Sequence, residues 1–441
     1  MRLKTTCLAA LLLLALPAGA STAGTPKPLP NPDRPAVTPR VKEARAATVS
    51  ASRICPAMRS LARLGNSATG LRVKDLTSGK TVCSLDSRSP KVLASNTKIF
   101  TTAATLGRLG PGHRYRTRVF ASGPITPDGV LRGNLFLKGG GDPTFSQGRV
   151  LNSYSDGTGA SIEKLADKVA ASGINRVTGR LIGDETVFDR LRGVADSGFG
   201  VSPYIGPLSG LSTNFGFTSA SFSRFSPNPA RLGTKIMARE LRQRGIVITP
   251  EIALKKTPAN AVRNGFVARQ VSPDMAWMAR MTNKDSNNFF AEMLLKNLGA
   301  TVRKAGTTHQ GTIVTERFAR SLGSDVHQVD GSGLTATNRA TPADVVKLLA
   351  RVRVKSYGRE FVDSLATAGV DGTIADRMRG SAAQGVCHAK TGTITRVSAL
   401  SGYCLRGEGH KYAFSILMNG VRDLNAAHRG QDRIAALVAR L

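Results

Sequence analysis

Two cysteines near the C-terminus, Cys387 and Cys404, constrain this chain more than any other feature. Both lie in apolar runs that read as strands, residues 386–393 and 397–405, with a tight turn at Thr395 and Arg396 between them. In an antiparallel pair joined by that turn, Cys387 falls opposite Cys404, within disulfide reach. Cys55, on a first helix, and Cys83, on the second strand of a hairpin over residues 71–85 turning at Ser78-Gly79, are then left for each other. Three pairings of these four cysteines are formally open, and four buried free thiols are the alternative to all of them.

Disulfides require an oxidising compartment, and the N-terminus is consistent with export. Arg2 and Lys4 precede an apolar run over residues 8–16, and Ala18, Gly19 and Ala20 offer a small-residue cleavage site. The run is shorter than the ~20 residues a spanning helix needs. A signal peptide over residues 1–20 is therefore preferred to an uncleaved anchor, and the fifth cysteine, Cys7, leaves with it. Over residues 21–48, Pro26, Pro28, Pro30, Pro32, Pro35 and Pro39 alternate with charged residues, a composition that favours an extended linker or removable pro-segment.

Structure is expected from about residue 50, where Cys55, Met58, Leu61 and Leu64 recur at helical spacing before Gly65. The hairpin 71–85 is followed by a strongly helical stretch over 97–109, then short β-rich pieces from Tyr115 to about Leu137 and a mixed Gly-rich region. Helical spacing returns over 275–298, 341–354 and 360–365. Strands are expected over 386–393, 397–405 and 412–418, and a last helix over 432–441. The pattern predicts a multidomain chain of the α+β type (α/β in the broad sense). Both chain ends form one antiparallel sheet flanked by helices. Residues 49–118 and 270–441 are the two parts of that unit, and 119–269 is a large insertion.

Composition removes some functions. The 62 Lys and Arg against 29 Asp and Glu leave a net charge of +33, yet with one Trp and 5% aromatics the chain lacks the stacking platforms of a base-binding protein. Nucleic acid is not the expected partner. The basic residues are scattered from Arg40 to Arg440, a diffuse field that suits anionic wall polymer or phospholipid headgroups. The plain alternative is a preference for Arg with few acids.

Three short motifs carry the chemistry, and order and setting select one copy of each. Ser95-Asn96-Thr97-Lys98 opens the apolar helix 97–109, so Lys98 stands one turn from Ser95, the spacing a nucleophile and its base need. The helix N-terminus adds N–H groups that favour a developing oxyanion. The second SxxK, Ser161 to Lys164, reads as an ordinary helix cap. Of three SxN triplets, Ser286-Asn287-Asn288 precedes a buried apolar run, whereas Ser212 and Ser226 read as turn residues. Lys390-Thr391-Gly392 opens a strand whose edge a substrate backbone could line, Gly392 giving room and Lys390 charge. Taken alone, an N-cap serine with a solvated lysine, and an edge-strand lysine that discourages aggregation, explain the first and third motifs as well.

Together and in this order the motifs resemble the active-site serine penicillin-recognising enzymes. The long gap between Ser95 and Ser286 contains Gly139-Gly140-Gly141-Asp142-Pro143-Thr144. Asp330-Gly331-Ser332-Gly333-Leu334 precedes the KTG and Ser398-Ala399-Leu400-Ser401-Gly402-Tyr403 follows it. With these the chain resembles the D-alanyl-D-alanine carboxypeptidase/endopeptidase family of low-molecular-mass class C penicillin-binding proteins, over nearly all of its length after about residue 50. The resemblance implies a β-lactamase/transpeptidase-like domain, peptidoglycan stem peptides ending in D-Ala-D-Ala as substrate, β-lactams as covalent inhibitors, and neither metal nor cofactor. It implies Ser95 as nucleophile, Lys98 as its base and Ser286 as proton donor to the leaving amine. Asn288, Lys390 and Thr391 would hold the substrate, with an oxyanion hole from the N–H groups of Ser95 and Thr393 beside Gly392. Asp196 is the candidate for greeting the free amine of the third stem residue, while Asp142 reads as a turn aspartate. A β-lactamase or esterase on the same serine and a non-catalytic wall-binding protein are the competing readings.

Overall fold

The computed structural model describes residues 51–65, 67–407 and 410–441. The expected signal peptide (1–20), the Pro-rich segment (21–48) and Cys7 lie outside the described residues. The chain begins with α1 (Ala51–Leu61), which turns Ile54 and Met58 inward, and enters the hairpin β1 (Ala68–Asp75) and β2 (Thr81–Leu85). Helix α2 (Thr97–Leu109) is buried for most of its length and stops at Gly110, whose φ of +88° suits a residue without Cβ. There follow β3 (Arg116–Ala121), β4 (Leu135–Lys138), α3 (Ile162–Ala170), β5 (Leu181–Asp184), α4 (Pro229–Gln243), β6 (Ile252–Leu254) and β7 (Phe266–Val271). The last part holds α5 (Met275–Asn283), α6 (Asn288–Arg303), α7 (Thr308–Ser321), α8 (Pro342–Arg353), β8 (Ala366–Thr367), β9 (Cys387–Ile394), β10 (Val397–Arg406), β11 (His410–Asn419) and α9 (Leu424–Val438).

Helix starts follow local chemistry. Ser161, Asn228, Asp274, Asn287, Thr307, Thr341 and Asp423 each accept the backbone N–H three residues on, satisfying a donor the helix itself leaves free.

Six strands form one antiparallel sheet in the order β8-β9-β10-β11-β1-β2. The first hairpin is therefore sealed onto the last strand, Leu71 opposite Ile416 and Val73 opposite Phe414. Helices α1 and α9 pack on one face with Leu71, Phe414 and Ile416. Helices α2 and α5 to α8 pack on the other, with Ala399, Tyr403 and Leu417. Covering on both faces explains why β10 is buried from Val397 to Cys404 rather than alternating in and out. The Tyr403 hydroxyl donates to the Leu349 carbonyl on α8 at 2.8 Å, so the buried phenol is satisfied and the helical layer is registered on the sheet. Cys387 and Cys404 are directly opposed and bonded, the turn falls at Thr395 and Arg396, and Cys55 is bonded to Cys83.

A second, five-stranded sheet in the order β7-β3-β4-β5-β6 draws on residues from Arg116 to Val271 and has a core of its own, closed by α3 and α4. Its two outer contacts toward β6 are parallel and the others antiparallel.

Three expectations change. Apolar spacing over 275–298 is not one helix: α5 stops at Asn283 and α6 starts at Asn288, with Ser286 between them at φ +55°. The last helix begins at Leu424, because Asp423 caps it eight residues ahead of the expected start. Helices α4 and α7 were not expected, α4 falling within the region read as mixed and Gly-rich and α7 in a stretch given no element.

The Cys387–Cys404 bond closes a loop of 17 residues, and constraint of the unfolded chain by such a loop is worth about 3 kcal/mol. The double substitution Cys387→Ala/Cys404→Ala is expected to lower unfolding free energy by about that amount in urea titration, with the sheet retained by circular dichroism.

Candidate active site

Ser95 stands where α2 begins. Residues Ala94–Asn96 form a single 3-10 turn leading into the helix, with Ala94 at a positive φ of 46°. This strained turn is held from two sides. Gly333 lies so close that a Cβ there would run into the Ala94 carbonyl, and a Cβ at Gly392 would come within 3.0 Å of the Ser95 nitrogen. Asn96 donates to the Lys390 carbonyl at 3.1 Å, tying the turn to β9. Ser95 is partly exposed while its neighbours are buried, so its hydroxyl faces the cleft.

Lys98 is fully buried, and its Nζ has three neighbours: Ser95 Oγ at 3.0 Å, Asn288 Oδ1 at 2.7 Å and the Ser332 carbonyl at 2.6 Å. The last two can only accept. A neutral amine has two N–H groups and one lone pair; with both N–H groups donated to Asn288 and Ser332, the lone pair is left facing the Ser95 hydroxyl. Burial lowers the Lys98 pKa to about 7, the charges of Asp330 and Glu292 opposing that fall. The amine is thus poised to take the serine proton near neutrality.

Each of the two acceptors is itself fixed. Asn288, the first residue of α6, has its amide orientation set because Nδ2 donates to the Tyr204 carbonyl at 3.0 Å. Ser332 is held by Glu292, one helical turn beyond Asn288. The Glu292 carboxylate, fully buried, accepts from the Ser332 N–H at 2.7 Å and the Gly331 N–H at 2.9 Å. Asp330 accepts from the N–H of Gly333 at 2.7 Å and of Thr335 at 2.8 Å, rigidifying the same loop. Burial, and then Asp330, raise the Glu292 pKa to about 7. Glu292 was missed in the sequence; its signal is a lone acid among Phe289, Phe290, Met293 and Leu294, one turn from Asn288.

Ser286 sits in the break between α5 and α6, partly exposed, its hydroxyl without a hydrogen bond among the described residues. Asn287 caps α6 and donates to the Tyr154 hydroxyl at 2.9 Å, so of the SxN triplet one residue is structural and one binds the Lys98 amine. Neighbouring Asp285 is pushed up to about 6 by burial. A cavity of about 620 Å³ opens beside these residues, walled by Tyr154, Tyr204, Phe217 and Phe222.

On β9, Lys390 is fully buried and donates to the Thr391 carbonyl at 3.0 Å. Burial, then the neighbouring Lys98, hold its pKa well below the ordinary lysine value. Thr391 donates to Thr373 Oγ1 at 2.8 Å, and Thr393 is exposed. Strand β8 pairs only with Ala389 and His388, so among the described residues the β9 edge from Lys390 onward is free of a strand partner.

Other candidates lie apart. Asp196 is exposed on a 3-10 turn, Ala195–Ser197, and makes no hydrogen bond or ion pair among the described residues. Its loop reaches the site instead through the Tyr204 carbonyl. Ser161 caps α3 by accepting from Lys164 N at 3.1 Å, and Ser226 accepts from Asn228 N in a turn. Ser212 is no exposed turn residue, since it is buried with an unpartnered hydroxyl. Asp142 binds its own loop, accepting from the N–H and hydroxyl of Thr144 at 2.7 Å each.

A strand edge beside a serine hydrogen-bonded to a buried lysine, on a helix-flanked antiparallel sheet, is the arrangement of a transpeptidase-like serine peptidase. Matching the family model described as the D-Ala-D-Ala carboxypeptidase 3 (S13) family over residues 56–221 and 216–441, the chain belongs to that family and is a D-Ala-D-Ala carboxypeptidase. It is 30% identical to a D-alanyl-D-alanine carboxypeptidase of an Actinomadura species, across 81% of this chain and 78% of the relative. It is 29% identical to carboxypeptidase DacB of Mycolicibacterium smegmatis, across 92% and 88%. In fold it resembles penicillin binding protein 4 of Haemophilus influenzae, with a TM-score of 0.71 at 19% identity over 86% of this chain and 97% of the other.

Because Lys98 can accept a proton only when neutral, acylation is expected to rise with pH through about 7 and then level, measured as the rate of β-lactam adduct formation. Replacing Glu292 by Gln keeps an acceptor but removes a charge that favours protonated Lys98. The limb should then move to lower pH, by up to about one unit; an unchanged profile with a lower plateau would reduce Glu292 to a structural role.

Proposed function

We propose that Ser95 attacks the carbonyl between the two terminal D-alanines of a peptidoglycan stem peptide while Lys98 takes its proton, giving an acyl-enzyme that water hydrolyses. The observation that carries this is the Lys98 amine, whose two fixed acceptors leave its lone pair to the serine. Ser286, with its hydroxyl uncommitted, passes a proton to the leaving amine. The substrate lies along the free β9 edge, Lys390 and Thr391 meeting the terminal carboxylate and Asn288 the substrate amide. The N–H groups of Ser95 and Thr393 receive the oxyanion, Gly392 leaving the room that a side chain would fill. A β-lactam presents an equivalent carbonyl and carboxylate, and would be captured as a long-lived adduct.

The same site would also serve a D,D-endopeptidase, since a cross-link is an amide to a terminal D-alanine carbonyl with a larger leaving amine, and the cavity beside Ser286 is open. We read residues 49–118 and 270–441 as the catalytic domain and 119–269 as an insert that brings Tyr204 to the cleft. Asp196 stays a candidate contact for the third stem residue. The two disulfides and the apolar N-terminal run support export to the wall or periplasm. No described helix is long and apolar enough to cross a membrane. The excess positive charge favours anionic wall polymer or an anionic lipid surface.

Intact mass after brief benzylpenicillin exposure, with D-alanine release from a D-Ala-D-Ala pentapeptide assayed in parallel, tests the core of this reading. Wild type should gain one stable adduct and release D-alanine. Ser95→Ala should do neither, and Lys98→Arg, which cannot offer a lone pair, should lose at least about 10³-fold in both. Fast penicillin turnover without an adduct would instead make the protein a β-lactamase.

A further inference from the structure

A second concave site, away from the cleft, has cations as its only charged residues. Lys74 on β1, Lys347, Arg351 and Arg353 on α8 and Lys411 on β11 converge on a cavity of about 560 Å³ whose other walls are Leu76, Thr77, Gly79, Ala350 and Val354. No carboxylate lines it. None of the five cations has an acid partner among the described residues, although fifteen other basic side chains there are within reach of one or more carboxylates. The nearest acid in sequence, Asp75, is occupied by its own turn, accepting from Thr77 N at 2.8 Å and Ser78 Oγ at 2.6 Å. Arg353 keeps a buried Nε with no acceptor among the described residues, a donor whose desolvation nothing offsets.

The carbonyl end of α8 accounts for basic residues in its last turn. It does not account for Lys74 and Lys411, which come from the sheet and complete the ring. Five like charges gathered around one hollow repel one another, and an anion entering it removes that repulsion.

We propose that this hollow binds a segment of a phosphodiester polymer in which phosphates alternate with short polyol linkers. Cations alternating with Leu76, Ala350 and the 78% exposed Val354 match anions spaced by aliphatic carbon. Concavity favours one flexible chain over a flat bilayer. Along β11 the hollow starts four residues from Ser415, which shares a row with Ser401 and Lys390, so it lies roughly 15–20 Å from the catalytic cleft by strand rise and spacing. A polymer held there would keep the enzyme beside its wall substrate without entering the cleft. This goes beyond the diffuse attraction noted above and does not depend on the catalytic roles.

The test is fluorescence anisotropy with a short labelled poly(glycerol phosphate) oligomer at an ionic strength of about 0.15 M. It compares wild type, Lys347→Glu/Arg351→Glu/Lys411→Glu, and the charge-matched Arg231→Glu/Lys235→Glu/Arg242→Glu on exposed positions of α4. Circular dichroism and a cooperative urea transition confirm that each variant is folded; if the first is not, Lys347→Glu/Arg351→Glu, both exposed, replaces it. The expected result is saturable binding by wild type, weakened about tenfold or more in the hollow variant and by less than about twofold in the matched control. Equal weakening in both variants, or no saturable binding, would overturn the site. Inorganic phosphate binding as tightly as the oligomer would make it a small-anion site. Hollow-dependent binding to phosphatidylglycerol vesicles without oligomer binding would assign it to a lipid surface; either outcome overturns the polymer assignment.

Discussion

The structure depends on one buried amine and what is placed around it. A lysine enclosed in protein loses its charge readily, and a free neutral amine could turn its lone pair anywhere. Lys98 cannot, because Asn288 and Ser332 take both of its N–H groups. Those acceptors arrive from different parts of the chain, one at the head of α6 and one on a loop after α7. Glu292 joins them: it is a turn away from Asn288 on the same helix and grips the two N–H groups that precede and include Ser332. Removal of either acceptor frees an N–H group of Lys98 and with it the direction of the lone pair.

The position of Ser95 follows from the sheet in the same way. Both chain ends meet at the β1–β11 pairing, which places β9 near the sheet margin, and short β8 covers only its first residues. What remains is a free strand edge that starts at Lys390. The turn carrying Ser95 packs against that edge because Gly392 has no side chain and Asn96 bonds the Lys390 carbonyl. A strand edge that would otherwise invite aggregation is in this way enclosed by the cleft.

Much of this was legible before the structure. Helix α2 runs over the residues its apolar spacing indicated, and the Cys387–Cys404 register followed from turn length alone. These features are local: periodicity and turn geometry act within a few residues. The break between α5 and α6 was not legible, since apolar spacing continues through residues 275–298 while Ser286 adopts a left-handed conformation that its residue type does not announce. Asn287 illustrates the same limit of local reading. As a member of the SxN triplet it looks chemical, yet its side chain caps α6 and meets Tyr154. The Tyr204 carbonyl escaped notice because its partner is distant in sequence and nothing in a neighbouring residue marks it, whereas Glu292 had a local signal, an acid alone in an apolar run, whose meaning lay in partners forty residues on.

The two buried lysines are also linked by charge. Lys390 is held well below the ordinary lysine range by burial and by Lys98, so two protonated amines cannot share the cleft without mutual cost. On the proposed roles, an arriving carboxylate favours the ammonium at Lys390 and brings a compensating negative charge with it, so the new pair adds no net charge beside Lys98, whose neutral form rests on burial. The buried lysine can therefore take up its partner's charge without forcing a proton onto or off the amine beside Ser95. A peptide ending in an amide would leave Lys390 without that partner, and the loss would fall on capture of the substrate rather than on the protonation of Lys98.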